Sequence, residues 1–369
     1  MSAKLLFFSL CCSFCVFNVV HAAFAVVTLV TGSKNGYSSG ALALGQSLID
    51  VGSTLSRVAM VTANVPVDDR RQMERLGWQI HQVEPLPCRV KHNFDAAKYD
   101  LQASNVQAGL QRWKYTCTKF HAWNLVSYER ILFMDSDTLA VGSLDDVVFG
   151  AYSNSSFQAA PDTFPPDNFN AGVMVIKPSA AAYAHLLQLN EQVGSVEGGD
   201  QGVLNNGLCP RWATVGPNDP HCGRLPWLVN VGAAHYTTYR ALQEGSGKRL
   251  PCVVHFDGDG KPWTVLLFEY LSPAEQAQIP AETRGRLAAM ALPHMLWRRA
   301  YFRAIEQTEP AAHFLLSGAS DAAANPAAAA AAAAGGGARA GASIAPLRRK
   351  RVKEDPFDSW DTKQEHMER

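Results

Sequence analysis

The chain has 369 residues, with 33 Lys+Arg balanced by 33 Asp+Glu and a hydrophobic content of 47%. The charge balance leaves no basic excess for nucleic-acid binding by counterion release, so that class of partner is disfavoured. The apolar content supports a sizeable core, and the length, once the two ends are set aside, fits one large or two small domains.

Lys4 precedes an apolar run over 5–20, and Val20-His21-Ala22 fits the small-residue cleavage pattern of a secretory signal peptide, expected over 1–22. An uncleaved signal anchor is the rival reading. The run is short for a membrane span of roughly 20 residues, and a strand-like segment starts at once at Phe24.

The β-branched run 24–30 reads as a buried strand, followed by a Gly/Ser-rich loop over 31–39 and a helix over 40–49. A strand over 57–62, a charged amphipathic helix over 68–76 and a strand over 78–83 continue the alternation. Such alternation argues for an α/β domain with a mostly parallel sheet flanked by helices, whose ligands sit beyond the carboxyl ends of the strands. Residues 84–111 are ambiguous and read as loop with a short helix, and 118–126 reads as a helix.

The apolar run 130–134 then closes on Asp135-Ser136-Asp137. Carboxylates at i and i+2 of an extended backbone point to the same side, and hard oxygen ligands held this way suit Mn²⁺ or Mg²⁺ carrying a diphosphate. The same tripeptide also suits a solvated turn or a helix N-cap.

Further strands are expected over 158–161 and 172–177, a helix over 179–192, a glycine-rich loop over 194–202 and a late strand over 252–256, with His255 near its end. Residues 273–316 read as a helical extension of a catalytic domain spanning 23–272. From 317 to 369 the composition is biased, with an alanine run over 327–334 and a basic cluster Arg348-Arg349-Lys350-Arg351, and a disordered tail is expected.

Of the eight cysteines, Cys11, Cys12 and Cys15 lie in the signal, and the remaining five leave at least one free thiol. Cys209 and Cys222 share one Pro/Gly-rich loop and are the favoured pair. Asn154-Ser155-Ser156 is a glycosylation sequon usable only in a secretory lumen, which is the expected compartment.

Four more segments suit sugar-nucleotide chemistry: Asn170-Ala171-Gly172-Val173, Gly198-Gly199-Asp200-Gln201-Gly202, His255-Phe256, and Gly258 through Lys261-Pro262-Trp263. With Val27-Thr28-Leu29, Gly40-Ala41-Leu42-Ala43-Leu44-Gly45, Thr118-Lys119-Phe120-His121 and Phe133-Met134-Asp135-Ser136-Asp137-Thr138-Leu139, they resemble, in order over residues 25–265, glycosyltransferase family 8 and its glycogenin-like enzymes.

The resemblance implies a GT-A (Rossmann-like) fold, a UDP-sugar donor, a Mn²⁺ requirement with Mg²⁺ as the alternative, and retention of anomeric configuration. It implies Asp135, Asp137 and His255 as metal ligands, and Leu29, Thr31 and Tyr37 as the uridine pocket, although the loop before Tyr37 is about two residues longer than the family pattern. Ser136 is expected at the ribose. Asn170, Ala171 and Asn230 are expected on the donor, and Gly258 and Lys261 at the diphosphate. Asp200, Gln201 and Lys119 carry the chemistry in this reading. A covalent glycosyl intermediate and a front-face displacement both remain open for Asp200. Glu197 stands where glycogenin-like proteins tend to carry aspartate.

The segment Leu225-Pro226-Trp227-Leu228-Val229-Asn230 resembles the stretch before glycogenin's self-glucosylated tyrosine, which leaves Tyr236 or Tyr239 as the equivalent acceptor. The leading expectation is transfer to a separate lumenal glycan, lipid or protein. A self-glucosylating primer and a catalytically silent sugar-nucleotide-binding protein are the alternatives, and a homodimer is among the expected assemblies.

Overall fold

The run Phe24–Val30 forms strand β1, with all but its first residue buried, as β-branched side chains favour on a sheet covered on both faces. In the computed structural model, which describes residues 24–32, 36–91, 113–148, 154–163, 167–216, 218–258, 260–264 and 290–308, β1 is central to the main sheet. The expected signal peptide (1–22) and low-complexity tail (317–369) lie outside the described residues, as do most of 84–111 and much of 273–316.

The main sheet also holds β2 (Ser56–Val61), β3 (Trp78–Gln82), β4 (Arg130–Met134), β6 (Phe157–Pro161), β7 (Phe169–Ile176) and β8 (Cys222–Arg224). A smaller sheet is built from β5 (Thr138–Ala140), β9 (Val231–Gly232) and β10 (Val253–His255). The main order is β3-β2-β1-β4-β7-β6-β8, and the small sheet runs β5-β10-β9. β1 to β4 are mutually parallel in the main sheet, β7 is antiparallel to both β4 and β6, and β8 is parallel to β6. The chain therefore adopts the expected α/β class with a mostly parallel sheet.

Side chains alternate across that sheet. On one face Ile131 and Phe133 pack with Phe120, Trp123 and Phe157, and on the other Leu132 and Met134 pack with Leu44 and Leu48. Helix α1 (Tyr37–Asp50) is buried continuously from Gly40 to Leu48, because the sheet covers one side and helix α5 (Ala291–Thr308) the other. Arg303 pairs with Asp50 at 2.9 Å, and Arg75, in the last turn of α2 (Val67–Arg75), donates to Thr308 O at 2.8 Å.

The structure departs from the sequence-based expectation in three places. α1 starts three residues before Gly40, its first turn closed by Gly40 N donating to Gly36 O at 3.1 Å. Tyr37 is therefore helical, and its ring lies edge-on to Trp263 at 5.1 Å. The helix expected over 118–126 is a 3₁₀ helix, Thr116–Asn124. Part of the glycine-rich loop winds into a one-turn helix, Asp200–Val203. Helices α3 (Ala180–Gln192), capped by Ser179, and α4 (Ala233–Gly245) complete the frame, with α4 following directly on β9.

Two disulfides cross-link the chain. Cys209–Cys222 is the expected pair, and Cys88–Cys117 joins residues 29 apart with Cα atoms separated by 5.1 Å. Cys252 is a buried free thiol. No helix among the described residues is long and apolar enough to cross a membrane.

Candidate active site

The site grows from the end of β4. Asp135 N donates to Gly172 O at 2.8 Å, extending the ladder to β7 by one bond. The chain then turns, because Asp135 O accepts from Thr138 N at 3.0 Å and from Thr138 Oγ1 at 2.7 Å. The two carboxylates thus converge through a turn and not through the i, i+2 spacing of an extended strand, since side-chain hydroxyls readily satisfy turn carbonyls.

From that turn β5 sets out antiparallel to β10, with Thr138 opposite His255 and Phe256 N donating to Asp137 O at 2.9 Å. This register carries His255 to the aspartates. Asp135, Asp137 and His255 each present one ligand atom, all within 4.8 Å of one another. Two carboxylate oxygens and one imidazole nitrogen, with Asp137 and His255 buried and Asp135 half-buried, fit a divalent cation.

The imidazole is oriented from behind. His255 Nδ1 donates to Asn230 Oδ1 at 3.0 Å, Asn230 Nδ2 donates to Asn170 Oδ1 at 2.9 Å, and the same oxygen accepts from Gly172 N at 2.8 Å. A hydrogen bond at Nδ1 sets the tautomer that leaves Nε2 to act as a ligand. Nε2 faces Asp137 Oδ1 at 3.4 Å. Gly172 lies against the ring: a Cβ there would stand 2.2 Å from His255 Cε1. Asn230, expected on the donor, is placed behind His255, and its polar atoms are committed to this relay.

Two buried lysines balance the acids. Lys119 Nζ lies 2.9 Å from Asp135 Oδ2 and 3.1 Å from Asp200 Oδ2. Lys261 Nζ donates to Asp137 and, at 2.6 Å, to Phe256 O. Burial opposes the Lys119 charge, yet Asp135 and Asp200 outweigh it and raise its pKa. Burial pushes the Asp135 carboxyl up to about 6 against the pull of Lys119. For Asp137 burial is outweighed by Lys261 and His255, which hold its carboxyl well below the usual range. Burial also opposes the His255 imidazolium, and Asp137 outweighs it and raises the pKa.

The residues expected at the sugar form an adjoining wall. Pairing between β6 and β7 slips between Ala159 and Ala160, from Met174 to Asn170, and this irregularity brings Asn170, Ala171 and Gly172 to the site. Gln201 is fixed at both ends of its amide, with Oε1 accepting from Ala171 N at 3.0 Å and Nε2 donating to Asp162 Oδ2 at 2.8 Å. Asp200 opens its one-turn helix with its N–H donated to Thr116 Oγ1 at 3.0 Å. Glu197 accepts from Ser195 and Gly202 N, and burial raises its pKa.

The expected uridine residues lie at the end of β1 and the start of α1. Leu29 is buried near the carboxyl end of β1, Thr31 follows it half-buried, and Tyr37 starts α1. Ser136 is buried between the two acids, and Gly258 takes φ 74° in the turn between β10 and Lys261. Thr116 and Asp162 escape sequence reasoning. Each meets the site through a hydrogen bond from a distant segment, Asp200 N to Thr116 and Gln201 Nε2 to Asp162, and neither belongs to a motif.

Residues 28–266 match the family model described as Glycosyl transferase family 8. Glycogenin-1 of Mus musculus is 34% identical over 239 residues, covering 65% of this chain and 65% of that protein. Glycogenin-2 of Homo sapiens is 35% identical over 243 residues, covering 65% of this chain and 43% of that protein. UDP-glucuronate:xylan alpha-glucuronosyltransferase 1 of Arabidopsis thaliana is 32% identical over 173 residues, covering 47% of this chain and 23% of that protein. The chain thus spans 65% of the mouse relative's length and smaller shares of the other two.

Proposed function

The chain belongs to glycosyltransferase family 8, and from that premise we propose that it transfers a hexosyl or uronosyl residue from a UDP-sugar to an acceptor hydroxyl, with Mn²⁺ as its working cation and anomeric configuration retained. The observation that carries this reading is the convergence of Asp135, Asp137 and His255 within 4.8 Å, with Lys119 and Lys261 on the two carboxylates. A mixed oxygen and imidazole donor set suits Mn²⁺ better than Mg²⁺, which prefers oxygen alone.

In the transfer, the acceptor oxygen bonds to the anomeric carbon while the bond from that carbon to the diphosphate breaks. UDP leaves with the bonding pair, and the hydroxyl proton passes to the departing diphosphate oxygen. A cation held by Asp135, Asp137 and His255 would neutralise charge on the leaving diphosphate. Lys261 is the cation of the chain placed to share that work at the Asp137 side. Lys119 holds the Asp200 carboxylate in place at the sugar side. Gln201, pinned by Ala171 and Asp162, offers a fixed amide beside it.

Both donor classes enter the proposal, because the glycogenin relatives and the relative named for UDP-glucuronate share the matched region. The acceptor is taken to be a glycan, lipid or protein in the secretory lumen. Two disulfides support an oxidising compartment. The test is UDP release from a panel of UDP-sugars with Mn²⁺, before and after EDTA. Release abolished by EDTA and restored by Mn²⁺ is expected, whereas release indifferent to EDTA would count against the proposal.

A second reading, self-glycosylation in the manner of a glycogenin, has one observation in its favour. Tyr239 is 38% exposed, whereas Tyr236 is 2% exposed. Intact-mass spectrometry after incubation with UDP-glucose and Mn²⁺ separates the readings. Hexose ladders that vanish in Tyr239→Phe support self-transfer, and an unchanged mass directs the search to separate acceptors.

A further inference from the structure

Side chains at i and i+3 of a 3₁₀ helix eclipse one another, because each turn holds three residues. In Thr116–Asn124 this puts Thr116 and Lys119 on one face and Cys117, Phe120 and Trp123 on the next. The first face meets Asp200 twice. Thr116 Oγ1 accepts from Asp200 N at 3.0 Å, and Lys119 Nζ lies 3.1 Å from Asp200 Oδ2. The second face is core, with Cys117, Phe120 and Trp123 all buried.

Nine residues is long for a 3₁₀ run, whose hydrogen bonds are poorer than those of an α-helix. Rewound to α geometry, the segment would swing Lys119 about 60° away from Thr116, since three residues then cover less than a full turn. Cys117 is tied against this. Its disulfide partner Cys88 donates its N–H to Lys114 O at 2.7 Å. The neighbours of Cys88 are held by the buried Asn190 of α3, which donates to Pro87 O at 3.0 Å and accepts from Arg89 N at 2.9 Å. The cross-link therefore moors the helix bearing Lys119 to a strip of chain fixed on α3.

We propose that Cys88–Cys117 is a positioning disulfide for group transfer: it holds the 3₁₀ winding that aims Thr116 and Lys119 at Asp200, and its reduction slows turnover while nucleotide binding persists. The proposal rests on the transferase reading above. Reduction by a dithiol breaks the S–S bond, passes two electrons and two protons to the cysteines, and leaves the dithiol as its own cyclic disulfide. Once Cys117 is a thiol, the segment is free to rewind. Asp137, His255 and Lys261 lie on or beside β5 and β10, which the cross-link does not touch.

The test compares wild type, C88S/C117S, Thr116→Val with the disulfide intact, and a C209S/C222S control. UDP release with Mn²⁺ is measured alongside calorimetric UDP titration, which counts binding-competent molecules. Turnover per UDP-binding molecule is expected to fall about tenfold or more in both C88S/C117S and Thr116→Val, with donor KM within about twofold of wild type. Adding Thr116→Val to C88S/C117S is expected to cost little more, because both changes act on one contact. The C209S/C222S chain keeps wild-type turnover per binding molecule.

Wild-type turnover in C88S/C117S would overturn the proposal, as would fully additive losses. If C88S/C117S fails to fold by circular dichroism, dithiothreitol-reduced wild type takes its place, with its thiols counted by alkylation and mass and the same tenfold fall expected. Absence of UDP release from wild type with every UDP-sugar would instead overturn the transferase reading, before any variant is compared.

Discussion

Lys119 Nζ lies 3.1 Å from Asp200 Oδ2, and the same ammonium lies 2.9 Å from Asp135 Oδ2. One cation thus serves an acid of the metal cluster and the acid at the sugar wall. Lys119→Met would leave two carboxylates without their counter-ion, one of them fully buried. Breaking such a contact costs about 3–5 kcal/mol, so a large drop in the urea midpoint is expected. A change below about 1 kcal/mol would mean that the ammonium contributes no more than a surface pair.

Asn230→Ala removes the acceptor that orients His255 Nδ1 and the donor to Asn170. Loss of such an outer partner typically lowers metal affinity by about 10–100-fold. Mn²⁺ titration followed by calorimetry checks this, and an unchanged Kd would show that the imidazole is held by other contacts.

Gly172→Ala is expected to act on the same ring from the other side. Its Cβ would stand 2.2 Å from His255 Cε1 and 2.9 Å from Asn170 Oδ1. The backbone has little room to retreat, because Gly172 O accepts from Asp135 N. The ring must move, with about 1–3 kcal/mol lost to overpacking and Mn²⁺ affinity reduced by about tenfold or more. Wild-type stability and affinity together would contradict this packing.

Much of this arrangement is legible in the chain, and the rest is not for identifiable reasons. β1, β2, β4 and α1 announce themselves through their apolar runs, and β3 through the alternation of Trp78 and Ile80 with polar residues. The acid pair is legible because it closes a buried strand. The late strand ending at His255 is legible as β10, but β5 and β9 hold three and two residues, too few for periodicity, so the pairing that brings His255 to Asp137 has no local signature. The 3₁₀ winding of Thr116–Asn124 is hidden because periods of 3.0 and 3.6 hardly separate over so short a run. Cys209–Cys222 spans one loop and is foreseeable, whereas Cys88–Cys117 depends on α3 holding residues 87–89 beside the helix.

Cys252 gives a pH-dependent prediction away from the acids. Burial pushes its thiol up to about 12, against about 8.5 in an unfolded chain. The folded chain keeps its proton where the unfolded chain has released it, so stability falls as pH rises between those values and is unaffected below them. The slope for one proton is about 1.4 kcal/mol per pH unit. Cys252→Ala should show a shallower loss of urea-midpoint stability between pH 9 and 10.5 than wild type, at about one proton's slope. Identical slopes would mean that the thiolate is accommodated in the fold.

The central claim is that Asp135, Asp137 and His255 together hold one divalent cation for a nucleotide diphosphate. Electron paramagnetic resonance of free Mn²⁺, titrated with protein in the presence of UDP, tests it directly. The account predicts one bound Mn²⁺ per wild-type chain and none at matched concentrations in Asp137→Ala or His255→Ala. Undiminished Mn²⁺ binding by either folded variant, or none by wild type, would contradict it.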